Sequence, residues 1–166
     1  MRNKGQLMGL PLVLIFALVV GAMILFFGAR WVMDLGSQAD YVSMLDSIRD
    51  IENNIDTFGN YDEGSAKVYE LELPTKVEKL CFYDSEQAFN CVDDGNPCSQ
   101  EVADTMQLVT DSSNNLYLYP LGLFDKEKFG IEHFQPEAGN PECVSNGESI
   151  LITAYKDYVG ITYYEQ

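Results

Sequence analysis

The stretch LMGLPLVLIFALVVGAMILFFGARW, residues 7–31, decides the fold. From Leu7 to Ala29 it runs 23 residues without a formal charge, nearly all of them apolar. At about 1.5 Å per residue a helix of this length covers roughly 34 Å, enough for the hydrocarbon core of a bilayer. A core helix of a globular domain carries polar residues on its solvent side, and this one has none. A cleaved secretory signal has a shorter apolar region, usually about 7–15 residues, before a small-x-small site. This run exits instead through Phe26-Phe27-Gly28-Ala29-Arg30-Trp31. Arg30 and Trp31 read as membrane-interface anchors, a snorkelling cation and an aromatic with a polar tip. A helix beginning near Leu10 places Pro11 in its first turn, where the missing N–H costs nothing. Ala17, Gly21 and Gly28 fall on nearly one side, small residues of the kind that let helix backbones pack closely.

The flanks orient the span. Arg2 and Lys4 precede it and only Arg30 follows closely, so the basic residues favour a cytoplasmic N-terminus. No Asp or Glu occurs in the first 33 residues.

Beyond the span, Val42, Leu45, Ile48, Ile51, Ile55 and Phe58 recur at three- and four-residue steps, with Asp46, Arg49, Asp50, Asn53, Asn54 and Asp56 between them. This predicts an amphipathic helix ended by Gly59 and Asn60. No proline separates it from the span, so the two predict one helix of about 48 residues, roughly 70 Å long. Its second half carries a single apolar stripe, which must be covered by the chain's own globular domain or by a neighbour.

After Gly64 the period changes to two. Tyr69, Leu71 and Leu73 alternate with Glu70 and Glu72, and Val77 to Tyr83 reads as a returning strand. Residues 85–110 read as turn-rich. Further strands are expected at Leu116–Tyr119 and Phe129–Phe134. The clearest hairpin joins Ile150–Tyr155 to Tyr158–Tyr164 through Lys156-Asp157.

The four cysteines, Cys81, Cys91, Cys98 and Cys143, all follow the span. An even count in a small domain delivered across a membrane reads as two disulfides, and the spacing lacks the Cys-x-x-Cys knuckle of a zinc site. Three connectivities are available. Cys91 and Cys98 flank an Asp-Asp-Gly-Asn-Pro turn, which leaves Cys81 for Cys143, a bridge worth roughly 4 kcal/mol through loop closure. Pairing Cys81 with Cys91 and Cys98 with Cys143 remains open.

Residues 34–166 hold all 26 acidic side chains and seven of the ten basic ones. Such a charge excludes nucleic acid as a partner, because little here displaces counterions from phosphate. It reads as a solubility device. The single histidine, His133, lies in an expected strand between Glu132 and Phe134, and reads as a surface residue rather than a base or ligand. Asp93, Asp94 and Asn96 fit no EF-hand spacing and read as a turn. No Gly-x-Ser-x-Gly elbow or glycine-rich phosphate loop occurs. The chain reads as a non-enzyme without cofactor or metal.

The N-terminus Arg2-Asn3-Lys4-Gly5-Gln6, followed at once by an apolar helix, resembles the class III signal of archaeal type IV pilins. The resemblance implies cleavage by a prepilin peptidase between Gly5 and Gln6, with Lys4, Gly5 and Gln6 as the processing site. It also implies a pilin-like lollipop: an apolar half-helix, an amphipathic half-helix and a mostly antiparallel, disulfide-bearing β head. Pilins often carry Glu at the fifth mature position, and here that position is Leu10. The expected organisation is a cytoplasmic leader at 1–5, a transmembrane helix at 6–33, an amphipathic continuation at 34–59 and an extracytoplasmic β-rich domain at 60–166, α+β overall. The expected function is a structural subunit or minor component of a surface filament, with the lipid bilayer and other pilin-like subunits as partners. The alternative is a non-filamentous, single-pass anchored protein whose acidic ectodomain binds a partner or assists an envelope complex.

Overall fold

A computed structural model describes residues 9–165, with the side chains of residues 9–12, 32–35 and 37 left aside. The order of elements is α1 (Gly9–Phe58), β1 (Ala66–Glu70), β2 (Lys79–Phe82), β3 (Val92–Asp93), β4 (Asn96–Pro97), α2 (Gln100–Val109), β5 (Leu116–Tyr119), β6 (Lys128–Phe129), β7 (Phe134–Pro136), β8 (Glu142–Ser145), β9 (Ser149–Ala154) and β10 (Val159–Tyr164). The chain divides into two compact units, one ending at Asp40 and one beginning at Tyr41. The class is α+β, with an N-terminal apolar helix segment, two mixed sheets and two disulfides.

In the second unit, the last five turns of α1 supply core. Met44, Ile48, Ile51, Ile55 and Phe58, spaced alternately by four and three residues, are all buried. The head's compact unit therefore begins at Tyr41 rather than at residue 60. Val42, expected on this stripe, is 55% exposed. Stepping back three residues from Met44 leads to Tyr41, whose ring lies 5.9 Å from that of Phe124. Val42 sits about 200° round the helix from Met44 and faces out. The helix stops where Gly59 N–H bonds the Ile55 carbonyl at 2.9 Å and the Asn60 side chain bonds the Asp56 carbonyl at 2.8 Å.

The smaller sheet runs β1-β9-β10-β7 and the larger β4-β3-β8-β2-β5-β6. Pairing is antiparallel except for β10 with β7 and β3 with β8. Strand alternation explains how the larger sheet is buried on both faces. Leu80 and Phe82 of β2, Leu116 and Leu118 of β5, and Val144 of β8 join the α1 stripe and the inner residues of the smaller sheet in one core. Cys81, Tyr117 and Cys143 point the other way and pack with Val102 and Met106 of α2. Each large side chain so buried contributes about 1.5–3 kcal/mol.

Helix α2 lies in the segment read from sequence as turns. The Ser99 hydroxyl accepts from Val102 N–H at 3.4 Å, a capping contact, and Glu101 sits in the positive first turn. The strand expected over Tyr69–Leu73 is displaced to β1. Leu71 and Leu73 remain buried but leave the ladder: Leu71 N–H donates to Glu148 O, and Leu73 N–H to the Asn146 side chain. The strand expected over Phe129–Phe134 is two strands, β6 in the larger sheet and β7 in the smaller. His133 lies between them at φ 68°, a left-handed turn residue and not a strand residue.

Candidate functional site

The segment of α1 from Val13 to Trp31 is long and apolar enough to cross a membrane, and none of it is buried within the chain. Burial separates this helix from an ordinary core helix of similar composition. Phe16 is 69% exposed, Leu25 75% and Trp31 72%. Large apolar side chains project on every side, from Val13 through Leu18, Met23 and Phe27. Covering that set is worth on the order of 20 kcal/mol at about 1.5–3 kcal/mol per side chain. The net stability of a whole domain is only about 5–15 kcal/mol.

Ala17, Gly21 and Gly28 lie within an arc of about 40°. A Cβ placed on Gly21 or Gly28 meets nothing within 4 Å. Arg30 and Trp31, the expected interface residues, lie at the C-terminal end of the apolar segment. The expected processing residues Lys4, Gly5 and Gln6 lie outside the described residues.

In the second unit, the disulfides are Cys81–Cys143 and Cys91–Cys98. Cys81 and Cys143 are directly opposed on β2 and β8. Cys91 and Cys98 close the β3–β4 ribbon, with Cys98 N–H bonding Cys91 O at 3.1 Å. Among the described residues, the metal-ligand side chains that converge are Cys91, Cys98 and Cys143, and their sulfurs are committed to these bonds.

The acidic turn is held from within. Lys79 Nζ donates to both Asp93 oxygens, at 2.7 and 2.8 Å. Asp94 accepts from the Ser145 backbone N–H at 2.8 Å and the Ser145 hydroxyl at 2.6 Å. Asn96 turns its amide to the Asp94 carbonyl. These carboxylates and the amide have protein partners, which serves the turn rather than a cation. His133 is exposed, 3.6 Å from the Glu132 carboxylate, and its carbonyl accepts from Val159 N–H.

Sequence reasoning passed over the buried Asn140 and Glu142 and the part-buried Asn146. The Asn140 side chain accepts from Asp84 N–H and donates to the carbonyls of Asp84 and Gln87. The Asn146 side chain likewise brackets Leu73 and reaches Val77 O. Asn140-Pro141 and Asn146-Gly147 were the available turn signals. Glu142 is wholly buried on β8; Tyr163 N–H donates to one oxygen at 2.6 Å and Ala138 N–H to the other at 3.1 Å. Burial pushes its carboxyl above the ordinary range, against the pull of these hydrogen bonds. Asp111 lies below that range, chiefly because the Asn114 side chain and Ser113 N–H bond its charged form.

Two of the open clefts among the described residues lie in the second unit. One of about 310 Å³ is lined by Tyr83, Asp84, Ser112, Asn115, Glu132 and Phe134 among others. The second, about 390 Å³, lies beside His133 and the stacked Tyr155 and Tyr158 rings, whose centroids are 4.7 Å apart. No family model, curated protein or solved structure matches the chain.

Proposed function

We propose that this protein is a pilin-like structural subunit, or a minor component, of a cell-surface filament. Its apolar helix resides in the bilayer before assembly and packs against like helices afterwards. The observation that carries this reading is the unburied, all-round apolar segment Val13–Trp31. A bilayer or a bundle of identical helices satisfies such a surface, and so gives the same segment two compatible environments. The helix runs on into the acidic unit, where its later turns form core, so head and apolar segment share one helical element. The disulfides suit an oxidising exterior. Lys4-Gly5-Gln6 supplies the processing signal, and the mature subunit begins at Gln6.

Intact-mass measurement of the membrane-extracted protein tests processing, and electron microscopy of cells with and without the gene tests assembly. The reading expects a chain lacking Met1–Gly5 and fibres that vanish on deletion. A mass that includes Met1–Gly5, or unchanged fibres, defeats it. Leu10, in the place where many pilins carry Glu, favours the second reading, a permanent anchor with an acidic ectodomain. That protein keeps its first five residues and forms no fibres.

A further inference from the structure

We propose that the two disulfides form a thiol-exchange site in which the half-buried Cys91–Cys98 bond gives an external thiol access to the buried Cys81–Cys143 bond. Cys81 and Cys143 are both 0% exposed, so a thiol in solution has no direct line to them in the folded head. Cys91 and Cys98 are only partly covered. The sulfurs of Cys91, Cys98 and Cys143 all lie within 4.8 Å of one another. Two disulfides so placed differ from two separate staples, because freeing one sulfur sets a nucleophile beside the other bond.

The exchange balances without an added oxidant. An external thiolate, from a low-molecular-weight thiol or from the dithiol of an oxidoreductase, attacks one sulfur of the Cys91–Cys98 bond. A mixed disulfide forms there, the S–S bond breaks, and the other cysteine leaves as a thiolate. Whichever sulfur is taken, the one released is a near neighbour of Cys143. It attacks the Cys143 sulfur, a new intramolecular S–S bond forms, and the Cys81–Cys143 bond breaks with Cys81 leaving as the thiolate. One external thiol is consumed as a mixed disulfide, and the number of S–S bonds within the chain falls from two to one. Reversal restores both native bonds and releases the thiol.

The local structure lets the first bond open without dismantling the head. Strands β3 and β4 are two residues each and pair only with each other and, through β3, with β8. The β4 residues are exposed, and Cys98 follows them at the end of a short ribbon, part-buried against the cluster that holds Cys81 and Cys143. Cys91 precedes β3, whose Asp93 is registered with Cys143. The buried bond closes a sequence separation of 62 residues and the half-buried bond one of 7. Short-range closure thus gives a route for making or correcting the long-range bridge after the core has formed around it.

The test uses the full chain in detergent under non-denaturing conditions, treated with reduced glutathione, acid-quenched, blocked with N-ethylmaleimide and mapped by peptide mass spectrometry. The expected map shows glutathione on Cys91 or Cys98, a peptide joining the other of these to Cys143, and maleimide on Cys81. Glutathione on Cys91 or Cys98 with the Cys81–Cys143 link at full occupancy overturns the proposal. So does an adduct on Cys81 or Cys143 while Cys91–Cys98 stays closed. In a Cys91→Ser, Cys98→Ser variant, Cys81–Cys143 should open at least about tenfold more slowly, since attack on a disulfide depends on access. An equal rate in a variant that retains the parent's near-ultraviolet tyrosine dichroism also overturns it. If the variant unfolds, the parent's map decides.

Discussion

Replacing Ile55 and Val42 by Ala, one at a time, separates the stripe that the structure buries from the stripe that periodicity suggests. Ile55 is wholly buried in the core that α1 shares with both sheets. The change removes three carbons, about 2.4 kcal/mol at roughly 0.8 kcal/mol per buried carbon. The cavity left between helix and sheets raises the cost to about 3–4 kcal/mol, inside the range seen for such truncations. Val42→Ala, earlier on the same helix, removes two carbons from a side chain that is 55% exposed. Its cost should stay within about 0.5 kcal/mol. Urea unfolding of the full chain in detergent, followed by near-ultraviolet tyrosine dichroism, measures both. Equal shifts for the two variants, or an Ile55→Ala cost below about 1 kcal/mol, would refute the assignment of the last turns of α1 to the head's core.

Three further perturbations probe other parts of the chain. Glu142 is held above the ordinary carboxylate range by burial, so the folded state binds its proton more tightly than the unfolded chain does. Its contribution is therefore complete below the unfolded value of about 4.3 and is lost as pH rises through the raised folded value. Thermal melts across that window should lose a stability component in the parent that Glu142→Gln does not show; parallel profiles would contradict this. Asn140→Ala strands Asp84 N–H and the carbonyls of Asp84 and Gln87, and should cost about 1–3 kcal/mol by urea titration. Val20→Arg places a charge in the middle of the apolar segment at a cost of about 2.5–3.5 kcal/mol for insertion, so the membrane-bound fraction should fall. Undiminished retention would remove the support for anchoring.

The apolar segment, the amphipathic turns after it, β5 and the β9–β10 hairpin were legible because each depends on residues close in sequence. The Cys91–Cys98 pairing has the same local logic, a short turn bringing two sulfurs together. Helix α2 was not legible. Only Val102 and Met106 of its ten residues are buried, so its apolar face is too thin to stand out from a turn-rich neighbourhood. What marks it is Ser99 as a cap, a weaker signal than a stripe.

The amino-acid sequence alone determined that one segment is long and apolar enough to cross a membrane, that it is helical, and that an acidic, cysteine-bearing α+β head follows it. Those properties are sums over neighbours along the chain, and hydrophobicity and helical period are read there directly. Tertiary structure decided which face of α1 is core, which sheet takes β6 and which takes β7, and that Glu142 and Asn140 are buried. It also set the sulfurs of Cys91 and Cys98 beside Cys143. Contacts of this kind join residues tens of positions apart, and their energies depend on partners that no local pattern specifies.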